Sequence, residues 1–161
     1  MHCIVDYKNV DCGTQSVIIR ISKMSLEGVW YNQLGSRMDI TSATNNQLSG
    51  TYESGVGCAQ GPYTLTGRYE TEGKSLGWVV SWEKEGQESC RSTASWSGEY
   101  DDTACEIRTT WLLTYPPAED WNSTTTGVDT FTRTQPTAEA CKKALKRGCI
   151  SQPRSKKTQK K

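Results

Sequence analysis

At 161 residues the chain is long enough for one domain with a sizeable core, and its 34% hydrophobic content is rich in rings, with six Trp and seven Tyr against one Phe. The net charge of +1 hides a division: residues 142–161 carry nine Lys/Arg and no acid, leaving residues 1–141 with ten basic against 18 acidic side chains. One histidine, His2, excludes a histidine-based triad, and no apolar run approaches the roughly 18 residues of a membrane helix.

Residues 1–24 are read as a leader with no assigned structure. Its apolar stretch is confined to Val17, Ile18 and Ile19 before Arg20, too short for a signal-peptide core. From Ser25 the chain becomes a meander of short Thr-, Ser- and ring-rich segments punctuated by turn residues, as in all-β barrels and sandwiches. The alternation predicts strands over 27–33, 36–43, 47–55, 62–72, 75–84, 91–99, 105–115 and 124–134. Turn signals fall between them at Leu34-Gly35, Asn45-Asn46, Gly57 to Pro62, Glu72-Gly73, Glu85-Gly86, Asp101-Asp102 and Pro116-Pro117. Eight strands with short connections pair as antiparallel neighbours, and closing them into an up-and-down barrel removes exposed edges. The fold class expected is therefore all-β over 25–134, a barrel or a sandwich.

Beyond those strands, Thr137 offers a helix cap, Glu139 sits in the first turn, basic residues fall late and Gly148 stops the run. A helical extension is expected over 135–149. Residues 150–161 are read as a solvated, disordered basic tail, with no nucleic-acid or membrane partner expected.

Strand side chains alternate faces, so the predicted strands sort their residues. One inward set is Trp78, Val80 and Trp82; the next is Ser92, Ala94, Trp96 and Gly98. Two more follow: Ile107, Thr109, Trp111 and Leu113, then Thr125, Gly127, Asp129 and Phe131. Trp30, Asn32, Ser36, Tyr52 and Ser54 join them. Aliphatic residues fill a core better than this mixture, because each buried indole N–H, hydroxyl or carboxylate needs a partner. Rings interspersed with a few fixed polar groups suit a small-molecule cleft. Seven cysteines favour an oxidising, extracellular compartment, and the odd number leaves at least one unpaired within the chain. Cys90 and Cys105 are candidate partners; no CxxC or Cys/His cluster suggests a metal.

The strings GVWYNQLGS (28–36), SGTYESGVG (49–57), LTGRYE (65–70), LGWVVSW (76–82), SWSGEY (95–100), TTWLLT (109–114) and GVDTFT (127–132) resemble, in order, the avidin/streptavidin family of biotin-binding proteins. The resemblance runs from about Ser25 to Arg133 and implies an eight-stranded antiparallel up-and-down barrel over 25–134, holding a non-enzymatic biotin site with no cofactor or metal. Asn32, Ser36 and Tyr52 match donors to the urea oxygen, and Ser54 and Asp129 match acceptors for the urea N–H groups. Trp82, Trp96 and Trp111 match the ring walls, with Leu113 as aliphatic contact, and Leu34, Val56, Gly57, Cys58, Ser92 and Ala94 complete the expected lining. Trp121 matches a tryptophan that family members insert into a neighbour's pocket, which implies a homotetramer. The resemblance also implies secretion and a defensive, sequestering role.

Three departures stand out. Ala94 replaces a threonine whose hydroxyl meets the thioether, Cys58 replaces an asparagine in the loop over the valerate carboxylate, and the 83–91 connection is one residue longer. That last change leaves Ser92, in preference to Ser89, facing the carboxylate. Asn122-Ser123-Thr124 is also a glycosylation sequon. The alternative function is a lipocalin- or lectin-like carrier of another apolar or sugar-like ligand.

Overall fold

The computed structural model describes residues 25–57, 61–70, 72, 74–83, 90–115, 123–147 and 150–151. Eight antiparallel strands follow in chain order: β1 Gly28–Asn32, β2 Arg37–Thr44, β3 Gln47–Glu53, β4 Pro62–Tyr69, β5 Ser75–Trp82, β6 Ser92–Asp101, β7 Glu106–Thr114 and β8 Thr124–Thr132. Each pairs with its predecessor, and β1 returns to pair with β8, closing the barrel. Predicted and observed boundaries agree to within three residues because hydrophobic alternation and turn chemistry act on the same positions. Asn45 and Asn46 both take positive φ (51° and 62°), the two-residue turn that matches the right-handed twist of a hairpin.

The interior has two levels. Toward one end, Trp30, Met38, Ile40, Leu48, Leu65, Leu76, Ile107 and Phe131 are buried and fill the barrel. Arg133 seals that end: its guanidinium lies 3.6 Å over the Trp30 ring and donates to the carbonyls of Ser25, Glu27 and Val29. Above this floor the strand register lines up Gly67, Trp78, Trp96, Trp111 and Gly127 across five neighbouring strands. Three indoles fit in one row because glycines flank them. A Cβ on Gly67 would come within 2.7 Å of the Trp78 Cβ and 2.3 Å of the Gly77 carbonyl oxygen. Trp78 and Trp96 stack at 5.7 Å and 16°, and Tyr52 and Trp82 pack on Trp96 at 5.0 and 5.9 Å.

Helix α1, Ala138–Lys146, starts at Thr137, whose hydroxyl accepts from Ala140 N at 3.2 Å. Basic Lys143 and Lys146 fall in its last turn, as its sequence leads one to expect. Ile150–Ser151, within the stretch read as a tail, instead forms a short strand β9 against β8. Cys90 precedes β6 and Cys105 follows it. Ten residues of extended chain therefore hold them on the order of 30 Å apart, far beyond the reach of a disulfide between the two. Neither stands as a free thiol, while Cys141 is free. Among the described residues no helix is long and apolar enough to cross a membrane.

Candidate functional site

The upper level of the barrel opens into a cavity of about 380 Å³. It begins at Asn32, the last residue of β1. The Asn32 side-chain oxygen accepts from Leu34 N (3.0 Å) and Ser36 N (2.8 Å), and Gly35 N donates to the Asn32 carbonyl. Gly35 takes a φ of 84°, which a turn this tight needs. With its oxygen committed to the turn, the Asn32 amide N–H₂ faces the cavity, where it donates to Asp129.

Ser36, the residue before β2, accepts from Gly55 N at 3.1 Å, and its hydroxyl is hydrogen-bonded to that of Tyr52. Burial pushes the Tyr52 hydroxyl far above its ordinary range, and the negative charge of Asp129 adds to the shift. Tyr52 therefore stays protonated and can donate. Ser54 folds back on its own turn, donating to the Val56 carbonyl at 2.5 Å. Asn32, Ser36 and Tyr52 thus bring polar groups from three strand ends to the wall of one cavity.

Asp129 faces them from β8. Its Oδ2 accepts from Trp96 Nε1 at 3.0 Å and its Oδ1 from Gln33 Nε2 at 2.9 Å, with Asn32 and Trp111 as further donors. Burial nonetheless dominates and raises the carboxyl above its ordinary 3.8, the four donors offsetting only part of the shift. Trp82, Trp96, Trp111 and Leu113 form the apolar wall, and Ala94 presents a methyl group between Val80 and Leu113 in the register.

All of the described residues expected at the site line this cavity: Asn32, Leu34, Ser36, Tyr52, Ser54, Val56, Gly57, Trp82, Ser92, Ala94, Trp96, Trp111, Leu113 and Asp129. Cys58, Trp121 and Asn122 lie outside the described residues. Two further lining residues, Cys90 and Tyr115, are not among those expected: Cys90 lies just before the predicted 91–99 strand, and Tyr115 closes the predicted 105–115 strand in phase with Leu113. Gln33 escapes sequence reading because alternation assigns it to the outer face, and only the closure of β1 on β8 brings its amide to Asp129. A shallower depression on the outer wall, lined by Tyr63, Thr64, Thr66, Val79, Ser81 and Glu83, brings no buried polar group together.

The arrangement is a preformed apolar slot in which several donors lie beside a buried carboxylate. It suits a flat ligand carrying a carbonyl flanked by N–H groups. A family model described as Avidin family matches residues 20–134. The chain is 30% identical over 125 residues to "Avidin" of Gallus gallus, covering 69% of this chain and 79% of that protein. It is 28% identical over 97 residues to "Hoefavidin" of Hoeflea phototrophica (strain DSM 17068 / NCIMB 14078 / DFL-43), covering 53% of this chain and 58% of that protein, so less than two thirds of the relative is spanned.

Proposed function

We propose, on the premise that this chain belongs to the avidin family, that the cavity captures biotin with high affinity and without catalysis. The observation that carries the reading is the gathering of the Asn32, Ser36 and Tyr52 donors and the Asp129 acceptor in one indole-walled slot. Three donors on one urea oxygen favour its polarised form, and a low-dielectric surround strengthens each bond. Asp129 and Ser54 accept the urea N–H groups. The bicyclic ring lies against Trp82, Trp96 and Trp111, and the valerate chain leaves past Ser92. No side chain in the set pairs a nucleophile with a base. The lipocalin-like alternative calls for a mainly aliphatic lining, whereas here Leu34, Val56, Ala94 and Leu113 share the wall with indoles and with Asn32, Ser36, Tyr52, Ser54 and Asp129.

Ala94 offers no hydroxyl to the thioether, so biotin keeps only part of its margin over desthiobiotin, a difference of about 0.5–1.5 kcal/mol for a hydrogen bond. A tryptophan-fluorescence titration tests the assignment: quenching at stoichiometric biotin is expected, with desthiobiotin weaker. A flat response to both removes biotin as the ligand.

Binding should also depend on pH. The ionised form of Asp129 is the one that accepts a urea N–H. Its affinity for protons is raised by burial, so acidification neutralises it before an ordinary carboxyl would respond. Biotin affinity should fall as pH drops through that raised value. The apo fold responds in the opposite sense: burial favours the neutral carboxyl, so this group's stabilising contribution is complete at low pH and is lost as pH rises through the raised value. Dissociation constants and apo melting temperatures between about pH 3 and 7 measure both slopes. Asp129→Asn should flatten each; unchanged profiles in that variant would reassign the titration to another group.

Self-association is part of the same proposal. Val79, Leu112 and Val128 are 43%, 51% and 58% exposed on the outer faces of β5, β7 and β8, an apolar surface suited to a second copy. With Trp121 completing a neighbour's site, the assembly is a homotetramer. Secretion and biotin sequestration follow from the family, and the engaged state of Cys90 and Cys105 supports a disulfide-linked extracellular protein.

A further inference from the structure

The family match ends at residue 134, yet the chain beyond it returns to the cavity. Helix α1 has no buried side chain. Its Cys141 nevertheless lies against the β1–β2 turn, where a Cβ on Gly35 would sit 3.2 Å from the thiol sulfur. Gly35 separates Leu34 from Ser36, both in the cavity wall. After the helix, β9 adds antiparallel to β8 with Gly127 opposite Ile150 and Thr126 opposite Ser151.

That strand lands on the thinnest seam of the barrel. β1 meets β8 at two register positions, Tyr31 with Thr132 and Asn32 with Phe131, while β7 accompanies β8 from Thr124 to Phe131. On the β1 side, the remainder of the β8 edge falls to other partners. The Gln33 side chain donates to the Val128 carbonyl at 3.0 Å and accepts from Thr130 N at 3.0 Å. β9 then takes Gly127 and Thr126. In order along β8, the strand β1, the Gln33 amide and β9 make up one edge ladder from Thr132 to Thr126. Asp129 projects inward from the middle of it, and Gln33 holds its carboxylate as well.

We infer that α1 and β9 together are a positioning element for the ligand site. They keep the seam shut beside Asp129 and brace the Leu34–Ser36 turn, and so set how long ligand stays bound. An unpaired strand edge opens locally at low cost. Each opening here would move the acceptor carboxylate and the turn that carries two lining residues. The inference rests on the biotin reading of the same cavity.

The test uses the full chain in two matched pairs. Ile150→Pro removes a ladder position from β9, while Ile150→Val keeps the backbone pairing. Cys141→Glu drives the helix off the turn with a charge, while Cys141→Ala leaves it seated. Biotin dissociation, apo melting temperature and amide exchange over 126–130 are measured for all four. Ile150→Pro and Cys141→Glu should release biotin at least about tenfold faster, equivalent to roughly 1.4 kcal/mol, and Ile150→Pro should also speed exchange over 126–130. The conservative partners should match the parent. Unchanged off-rates in Ile150→Pro and Cys141→Glu, with the parent binding biotin, overturn the inference and leave the function standing; so does an effect confined to the melting temperature. A parent chain that ignores biotin removes the ligand assignment, and exchange over 126–130 in Ile150→Pro then decides the seam alone, faster exchange supporting it and unchanged exchange overturning it.

Discussion

Asp129→Ala is expected to weaken biotin binding by about two to four orders of magnitude. Two losses add. The urea N–H forfeits a charged acceptor, worth about 1.5–3 kcal/mol, and stays buried without a partner at about 1–3 kcal/mol more. The protein's own donors to the carboxylate are left unpaired with or without ligand, so they cost stability rather than affinity. Those donors are identifiable: Trp96 Nε1 at 3.0 Å, the Gln33 amide at 2.9 Å, and the side chains of Asn32 and Trp111. Asp129→Asn should fall between parent and alanine variant, since it keeps the shape and one acceptor oxygen while placing an amide N–H₂ among the donors. Calorimetric titration against biotin, with apo melting curves as the folding control, gives both numbers. A dissociation constant within threefold of the parent would remove Asp129 from the site.

The second large effect belongs to Trp96. It stacks on Trp78, touches Tyr52 and Trp82, and donates to Asp129, so it joins the packed indole row to the ligand slot. Trp96→Ala empties a buried ring volume and should cost about 3–5 kcal/mol of stability, which lowers the melting temperature by roughly 10–20 °C. Biotin binding should fall with it. Trp96→Phe separates the two roles: it keeps an aromatic surface against Trp78 but removes the N–H to Asp129. It should therefore show a much smaller thermal loss and about a tenfold loss in affinity, the order of one hydrogen bond to a charged group. Equal thermal losses in both variants would mean that the N–H, not the ring, carries the packing role.

Most of the barrel could be read from the amino-acid order because two independent signals coincide there. Ring and aliphatic residues recur with a period of two, and Asn, Gly, Pro and Asp stand where the chain reverses. The inward members, from Trp78 through Phe131, follow from that alternation without knowledge of which strands close on each other. Gln33 shows where the reading stops. Its value lies in a contact with residues 95 to 97 positions away, created by the register of β1 on β8. β9 is illegible for a related reason: two residues have no periodicity, and they become a strand only because the edge of β8 is open. The cysteines misled because proximity in sequence across a strand is separation in space, and Cys90 and Cys105 flank the whole of β6.

The indole row bounded by Gly67 and Gly127 behaves like a shelf of fixed width. Bulk gained at one place along it has to be surrendered at another, because the bounding position at 67 is hemmed in by backbone. Sequence drift in this part of the molecule should therefore proceed by compensated exchanges, a larger group here with a smaller one two strands away, while isolated enlargements are purged.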